Sequence, residues 1–209
     1  MRKDPITLTD YLRKKFKNVL DPAGAFLNRL GLMPNTVTVM GLVGNAIGAY
    51  FLARGYLTVG GIIVLLMGPI DALDGTMARL RGQPTELGAF VDSVTDRYSE
   101  LVILGGLLVH FQLTGQSLAV GLTYLAAAGS VLVSYIRARA QAVGYDTKIG
   151  LLSRVERFLV LVPCLIFNIP IVAIWILAVL TNVTALQRIW HVRKQYYERA
   201  AEKLKSEEK

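Results

Sequence analysis

Several kinds of residue are scarce in this sequence. It has one cysteine, Cys164, and two histidines, His110 and His191. A single cysteine excludes an intramolecular disulfide, and so few His and Cys leave no cluster for a soft-metal site. Charge is missing over long stretches: no Asp, Glu, Lys or Arg lies between Asn35 and Ala53, Leu101 and Ile136, or Phe158 and Gln187. A helix needs roughly 20 mainly apolar residues to cross the hydrocarbon core of a bilayer. The first run suits one crossing, and each of the other two has room for parts of two. The N-terminus lacks the short apolar core and small-residue cleavage site of a secretory signal.

What is present agrees with a membrane protein. Of 209 residues, 53% are hydrophobic, and the net charge is nonetheless +8. No nucleic-acid motif accompanies that charge, so basic loops facing cytosol and anionic headgroups account for it, and no nucleic-acid partner is expected. The expected fold is all-α and integral to the membrane, with six transmembrane helices at about 35–53, 57–80, 86–110, 117–142, 151–168 and 170–192. Residues 1–34 form a basic lead-in in which Leu12, Phe16 and Leu20 recur at helical spacing, the mark of an amphipathic juxtamembrane helix. Residues 35–192 form the six-helix catalytic domain, and 193–209 a charged cytoplasmic tail, either a solvated helix or disordered. Lys and Arg concentrate in the lead-in, the second-to-third and fourth-to-fifth connections and the tail, whereas the opposite connections hold only Arg54. The positive-inside rule then puts both termini on the cytoplasmic side of a multi-pass plasma-membrane protein. Gly44 and Gly48 make a GxxxG step in the first span, which suits close packing within the chain or against a second copy.

Against this apolar background four carboxylates stand out. Asp71 and Asp74 fall at the end of the second span, three apart; Asp92 and Asp96 fall near the start of the third, four apart. Each spacing puts a pair on one helical face. The connection between them is short and cytoplasmic, so all four lie near one depth, and an antiparallel hairpin can turn the faces together. Clustered carboxylates must be protonated or neutralised, and an all-oxygen set suits a hard divalent cation. Gly75, Ala78 and Gly88 leave room beside the acids, and Arg79 adds a fixed positive charge, so the constellation fits a phosphate ligand. An ion-coupled transporter is the rival from another class; it needs acids spread across the membrane, whereas these sit at one edge.

The stretch from Asp71 to Asp96 reads DALDGTMARLRGQPTELGAFVDSVTD. It resembles the signature of the CDP-alcohol phosphotransferase family, D-x2-D-G-x2-A-R, eight residues, then G-x3-D-x3-D, at every fixed position. The resemblance implies that an alcohol displaces CMP from a CDP-linked lipid, CDP-diacylglycerol or CDP-archaeol. It implies that Asp71, Asp74, Asp92 and Asp96 hold Mg²⁺ or Mn²⁺, that Asp96 is the general base, and that Gly75, Ala78, Arg79 and Gly88 line the CDP pocket. It also carries the expectation of a homodimer among membrane lipids.

Ser134 to Ala140, Gly144, Arg154 to Arg157 and Thr181 to Arg188 are similar to the branch that makes phosphatidylinositol phosphate or its archaeal counterpart. In that branch Arg137, Arg157 and Arg188, with Arg154 as a further candidate, hold the phosphate of a phosphorylated polyol, myo-inositol 1-phosphate. Arginine suits this through its paired donors. Each arginine alone also fits positive-inside topology, and glycerol 3-phosphate is the rival acceptor. The chain departs from the branch in having Arg at position 137, where Lys is common, and Ser153, where an acid is common.

Overall fold

The computed structural model describes residues 8–82, 85–147 and 149–207; the side chains of 8–14, 71, 203 and 207 lie outside the description. Seven helices are found among the described residues: α1 (Leu8–Arg29), α2 (Pro34–Ala53), α3 (Leu57–Leu80), α4 (Glu86–Leu113), α5 (Ser117–Ala142), α6 (Arg154–Ile166) and α7 (Pro170–Glu207). Their breaks follow backbone chemistry. Gly31, Gly55, Gly82, Gly115 and Gly144 take positive φ at the connections, as does Asn168 between α6 and α7. Pro34 opens α2, where its missing N–H costs nothing. Thr85 caps α4 by accepting from the Gly88 N–H at 3.0 Å.

Four helices, α2, α3, α5 and α7, are long and apolar enough to cross a membrane. The outer faces are apolar: Val39, Met40, Val43, Ile47, Leu66 and Trp175 are all exposed. Such a surface suits lipid rather than water. The helix α4 has the length, but charges at Asp92, Asp96, Arg97 and Glu100 occupy its first half, leaving a clean apolar run only from Leu101 to Val109. The expected fifth span at 151–168 is shorter in the structure. α6 has 13 residues, because Ser153 and Glu156 form a capping box that fixes its start at Arg154. At ~1.5 Å per residue it reaches roughly 20 Å. Of the two readings of the tail, the structure has the helix: α7 runs unbroken through 38 residues to Glu207.

The packing order positions the site. α2 packs along both α3 and α4, α6 lies against α3 and α7, α5 pairs with α7, and α1 crosses α3. α3 and α4 make little direct contact, so the expected hairpin is not a packed pair; α2 stands between its arms. Close approach is bought by glycine. A Cβ on Gly106 would lie 2.4 Å from the Ala49 carbonyl oxygen, and one on Gly68 would lie 2.6 Å from the Phe158 ring. Gly44 and Gly48 face Met67 and Val64 of α3, so the GxxxG step serves packing inside the chain. Leu52, Val64, Leu104, Leu107, Phe111, Leu165, Ile174 and Leu177 form the apolar core. Arg81 fastens α1 to the end of α3, donating to Asn28 Oδ1 at 2.7 Å and the Leu32 carbonyl at 2.6 Å.

Candidate active site

Every candidate residue falls at one end of the bundle: the start of α2, the end of α3, the start of α4, the end of α5, the start of α6 and the matching level of α7. His110 lies at the other end, beside Gly55. Asp74 is 5% exposed, a rare position for a carboxylate. It accepts from the Thr38 hydroxyl of α2 and from the Gly75 N–H. Thr38 is itself buried, and its hydroxyl also lies 3.1 Å from the Pro34 carbonyl. These hydrogen bonds orient the carboxylate at the head of the bundle. Asp71 stands one turn earlier on α3; its side chain is outside the described residues.

On α4, Gly88, Asp92, Asp96 and Glu100 follow at intervals of four and share one stripe. Gly88 lies beside Asn35 of α2, whose Oδ1 is 3.7 Å from where a Cβ would stand. Asn35 and Thr38 are three apart on α2, so this helix presents one polar edge to the acids of α3 and of α4. Asp92 and Asp96 are half-buried. Asp96 Oδ1 pairs with Arg154 Nη2 of α6 at 2.7 Å. One turn deeper, Glu100 takes Arg157 in a two-pronged pair, with Nε–Oε1 at 2.6 Å and Nη2–Oε2 at 2.9 Å. Arg157 also donates to the Leu152 carbonyl at 3.2 Å.

A small cavity of about 50 Å³ lies between these elements, lined by Asn45 of α2, Gly68 of α3, Asp96, Ser99 and Glu100 of α4, and Arg154 and Arg157 of α6. Ile103, Phe158 and Leu161 complete its lining, so the polar groups of α4 and α6 meet a largely apolar wall. Ser99 Oγ is buried there without a protein partner, so the space suits water.

The expected CDP-pocket residues are placed as follows. Gly75 follows the buried Asp74, Ala78 is half-buried, and Arg79 is exposed, with Nη2 donating to Thr76 Oγ1 at 2.9 Å. The four arginines do not form one open cluster. Arg154 and Arg157 are engaged by Asp96 and Glu100. Arg188 is 6% exposed and turns to backbone, donating to the Ile149 carbonyl at 2.9 Å and the Val133 carbonyl at 2.6 Å. Arg137 is exposed at the end of α5.

Thr38, Asn45, Ser99 and Glu100 were not singled out by sequence reasoning. Glu100 had a signal: it continues the series Gly88, Asp92, Asp96 at the same interval. Thr38 and Asn45 had none, because a hydroxyl or amide in an apolar span looks the same whichever helix it faces.

Among the described residues, no three His, Cys, Asp or Glu side chains gather closely enough to hold a metal ion; the Asp71 side chain is outside that statement. The donor set nevertheless fits a hard cation. It is all-oxygen, and Asp74 is held by hydrogen bonds in a buried setting that disfavours an uncompensated charge.

The family model for CDP-alcohol phosphatidyltransferase matches residues 31–187. The archaetidylinositol phosphate synthase of Pyrococcus horikoshii is 32% identical over 185 residues, covering 88% of this chain and 96% of that protein. The phosphatidylinositol phosphate synthase of Mycobacteroides abscessus is 36% identical over 191 residues, covering 87% and 86%. Among solved structures, the phosphatidylinositol phosphate synthase of Mycobacterium tuberculosis with CDP-DAG bound superposes with a TM-score of 0.80 at 31% identity, covering 84% of this chain and 94% of that one. The same enzyme in complex with manganese and citrate gives a TM-score of 0.79 at 32% identity, covering 83% and 88%.

Proposed function

Since this chain belongs to the CDP-alcohol phosphatidyltransferase family, we propose that it moves a phosphatidyl-type group from a CDP-linked lipid to a hydroxyl of myo-inositol 1-phosphate and releases CMP. The observation that carries the reading is the Asp96–Arg154 pair at 2.7 Å. It joins a candidate base to a candidate phosphate-binding side chain at the wall of one small cavity. The names of the Pyrococcus and Mycobacteroides relatives support an inositol-phosphate acceptor.

Asp71, Asp74, Asp92 and Asp96 would hold Mg²⁺ or Mn²⁺, a reading supported by the manganese in the M. tuberculosis structure. When bound, the cation neutralises charge on the pyrophosphate of the donor and on departing CMP. The chain's own residues supply the rest. Thr38 and the Gly75 N–H orient Asp74. Asp96 takes the proton of the acceptor hydroxyl as that oxygen bonds to the lipid-side phosphorus and the bond from phosphorus to the CMP oxygen breaks. Gly75, Ala78, Arg79 and Gly88 line the nucleotide side. Arg154, with Arg157, Arg188 and Arg137 around it, meets the acceptor phosphate, Arg154 exchanging its carboxylate partner for the phosphate. Six crossings, with the acid cluster and both termini on the cytoplasmic side, go with this reading, as does a homodimer. The Lys and Arg asymmetry supports the orientation. The donor's chains then stay in the bilayer while its headgroup reaches the acids.

The test is CMP release by purified protein given CDP-diacylglycerol, a divalent cation, and in turn myo-inositol 1-phosphate, glycerol 3-phosphate and free inositol. Turnover with inositol 1-phosphate alone is the expected result. Preference for glycerol 3-phosphate would move the assignment to phosphatidylglycerol phosphate synthesis. Preference for free inositol would remove the acceptor phosphate, and no release with any alcohol would overturn the reading.

A further inference from the structure

The connection between α5 and α6, described at 143–147 and 149–153, has almost no regular structure there, yet it carries the chain into Ser153, Arg154 and Arg157. What holds it in place is one stripe of α7. Thr184, Arg188, Gln195 and Arg199 succeed one another by four, seven and four residues, a single helical face. Thr184 Oγ1 accepts from the Leu152 N–H at 3.3 Å. Arg188 Nε donates to the Ile149 carbonyl at 2.9 Å. Gln195 Nε2 donates to the Asp146 carbonyl at 2.6 Å. Arg199 Nη2 donates to the Gly144 carbonyl at 2.8 Å, and its guanidinium lies 4.3 Å from the centre of the Tyr145 ring. The connection is pressed close enough that a Cβ on Gly150 would lie 2.3 Å from Thr184 Cγ2, and Gly150 has a φ of +134°.

We propose that the extension of α7 past Arg193 is a positioning strut for the acceptor side of the site, with Gln195 and Arg199 as its positioning residues. The inference rests on the acceptor-phosphate reading above and adds two residues to it. Arg188 is shared between two tasks: Nε and Nη1 brace the connection and α5, and its remaining N–H groups are those that would meet a phosphate. Gln195 and Arg199 hold the same segment by independent bonds, so its course does not depend on Arg188 alone. Arg199 also stacks on Tyr145, and such an arginine–aromatic contact adds to the hydrogen bond.

The experiment uses the full-length protein in lipid nanodiscs, as wild type, Gln195→Ala, Arg199→Ala and Arg199→Lys. Two quantities are read: hydrogen–deuterium exchange over residues 143–153, and KM for each substrate alongside kcat. Arg199→Ala should speed exchange in that segment and raise the acceptor KM by roughly ten-fold, the scale of one lost charge-assisted bond. The donor KM and kcat should stay within about two-fold. Gln195→Ala should act in the same direction, and Arg199→Lys should recover part of both effects. Unchanged exchange in both alanine variants would overturn the strut. So would faster exchange with acceptor and donor KM rising together, since that marks general loosening. The acceptor reading is judged separately, on wild type. If wild type prefers an unphosphorylated alcohol, that reading fails, and the strut is then judged by exchange and the KM of that alcohol.

Discussion

Arg157 and Glu100 meet in a two-pronged pair between α6 and α4, and the arginine side chain is only 4% exposed. Removing one partner of a buried pair strands the other's charge in a low-dielectric setting. Glu100→Ala should therefore destabilise the fold by roughly 3 kcal/mol or more. Replacing both residues with apolar ones should recover much of that loss. Thermal unfolding of the single and double variants in detergent reads the effect. Additive losses would show that the two side chains are not coupled.

Asp96→Asn removes the proposed base and keeps the shape. Turnover should fall by at least ~100-fold, the lower end of what a positioned base contributes, while CDP-lipid binding persists. Isothermal titration with the donor and CMP release on the same preparation separate the two. Full activity in this variant would eliminate Asp96 as the base.

Thr38 donates to Asp74 from a neighbouring helix. Partners that orient a metal-binding carboxylate typically contribute ten-fold or more to metal affinity. Thr38→Val should raise the Mg²⁺ or Mn²⁺ concentration for half-maximal rate by about ten-fold, with the rate recovering at saturating metal. Thr38→Ser, which keeps the hydroxyl, should behave as wild type. If Val and Ser variants titrate alike, the hydrogen bond has no part in metal binding. Chelation by EDTA should stop turnover, and added Mn²⁺ or Mg²⁺ should restore it.

Gly105 and Gly106 are adjacent, yet they face opposite demands. Nothing lies within 4 Å of a Cβ on Gly105, whereas a Cβ on Gly106 would meet the Ala49 backbone at 2.4 Å. Gly106→Ala must push α2 from α4 and should destabilise the protein by about 1–3 kcal/mol. It should also lower activity, because α2 carries Thr38, which binds Asp74. Gly105→Ala should be silent in the same unfolding and activity measurements. Equal effects at both sites would contradict the helix packing described here.

Much of the architecture was legible along the chain. Helix limits at Pro34, Gly55, Gly82, Gly115 and Gly144 could be read from residues that end or start helices whatever surrounds them. The acids were legible too, since charge in an apolar stretch stands out without knowledge of its neighbours. α6 was read too long, because an apolar run signals burial but not the capping box at Ser153 and Glu156 that sets the start. A solvated helix was legible in the tail, but not its contacts, because alternating charge carries no record of the backbone carbonyls that Gln195 and Arg199 bind.

The sequence by itself determined which residues are apolar, where the chain turns, and that four carboxylates share one end of the bundle, because these follow from local chemistry and spacing. Tertiary structure decided the partners. α2 packs along both helices that carry the acids, and its Thr38 binds Asp74. Glu100 engages Arg157, Asp96 engages Arg154, and Arg188 faces carbonyls from two other segments. Ion pairs and hydrogen bonds between distant segments depend on how helices cross, and crossing is set by which small residues permit close approach. That information is spread over the whole chain and belongs to no single motif.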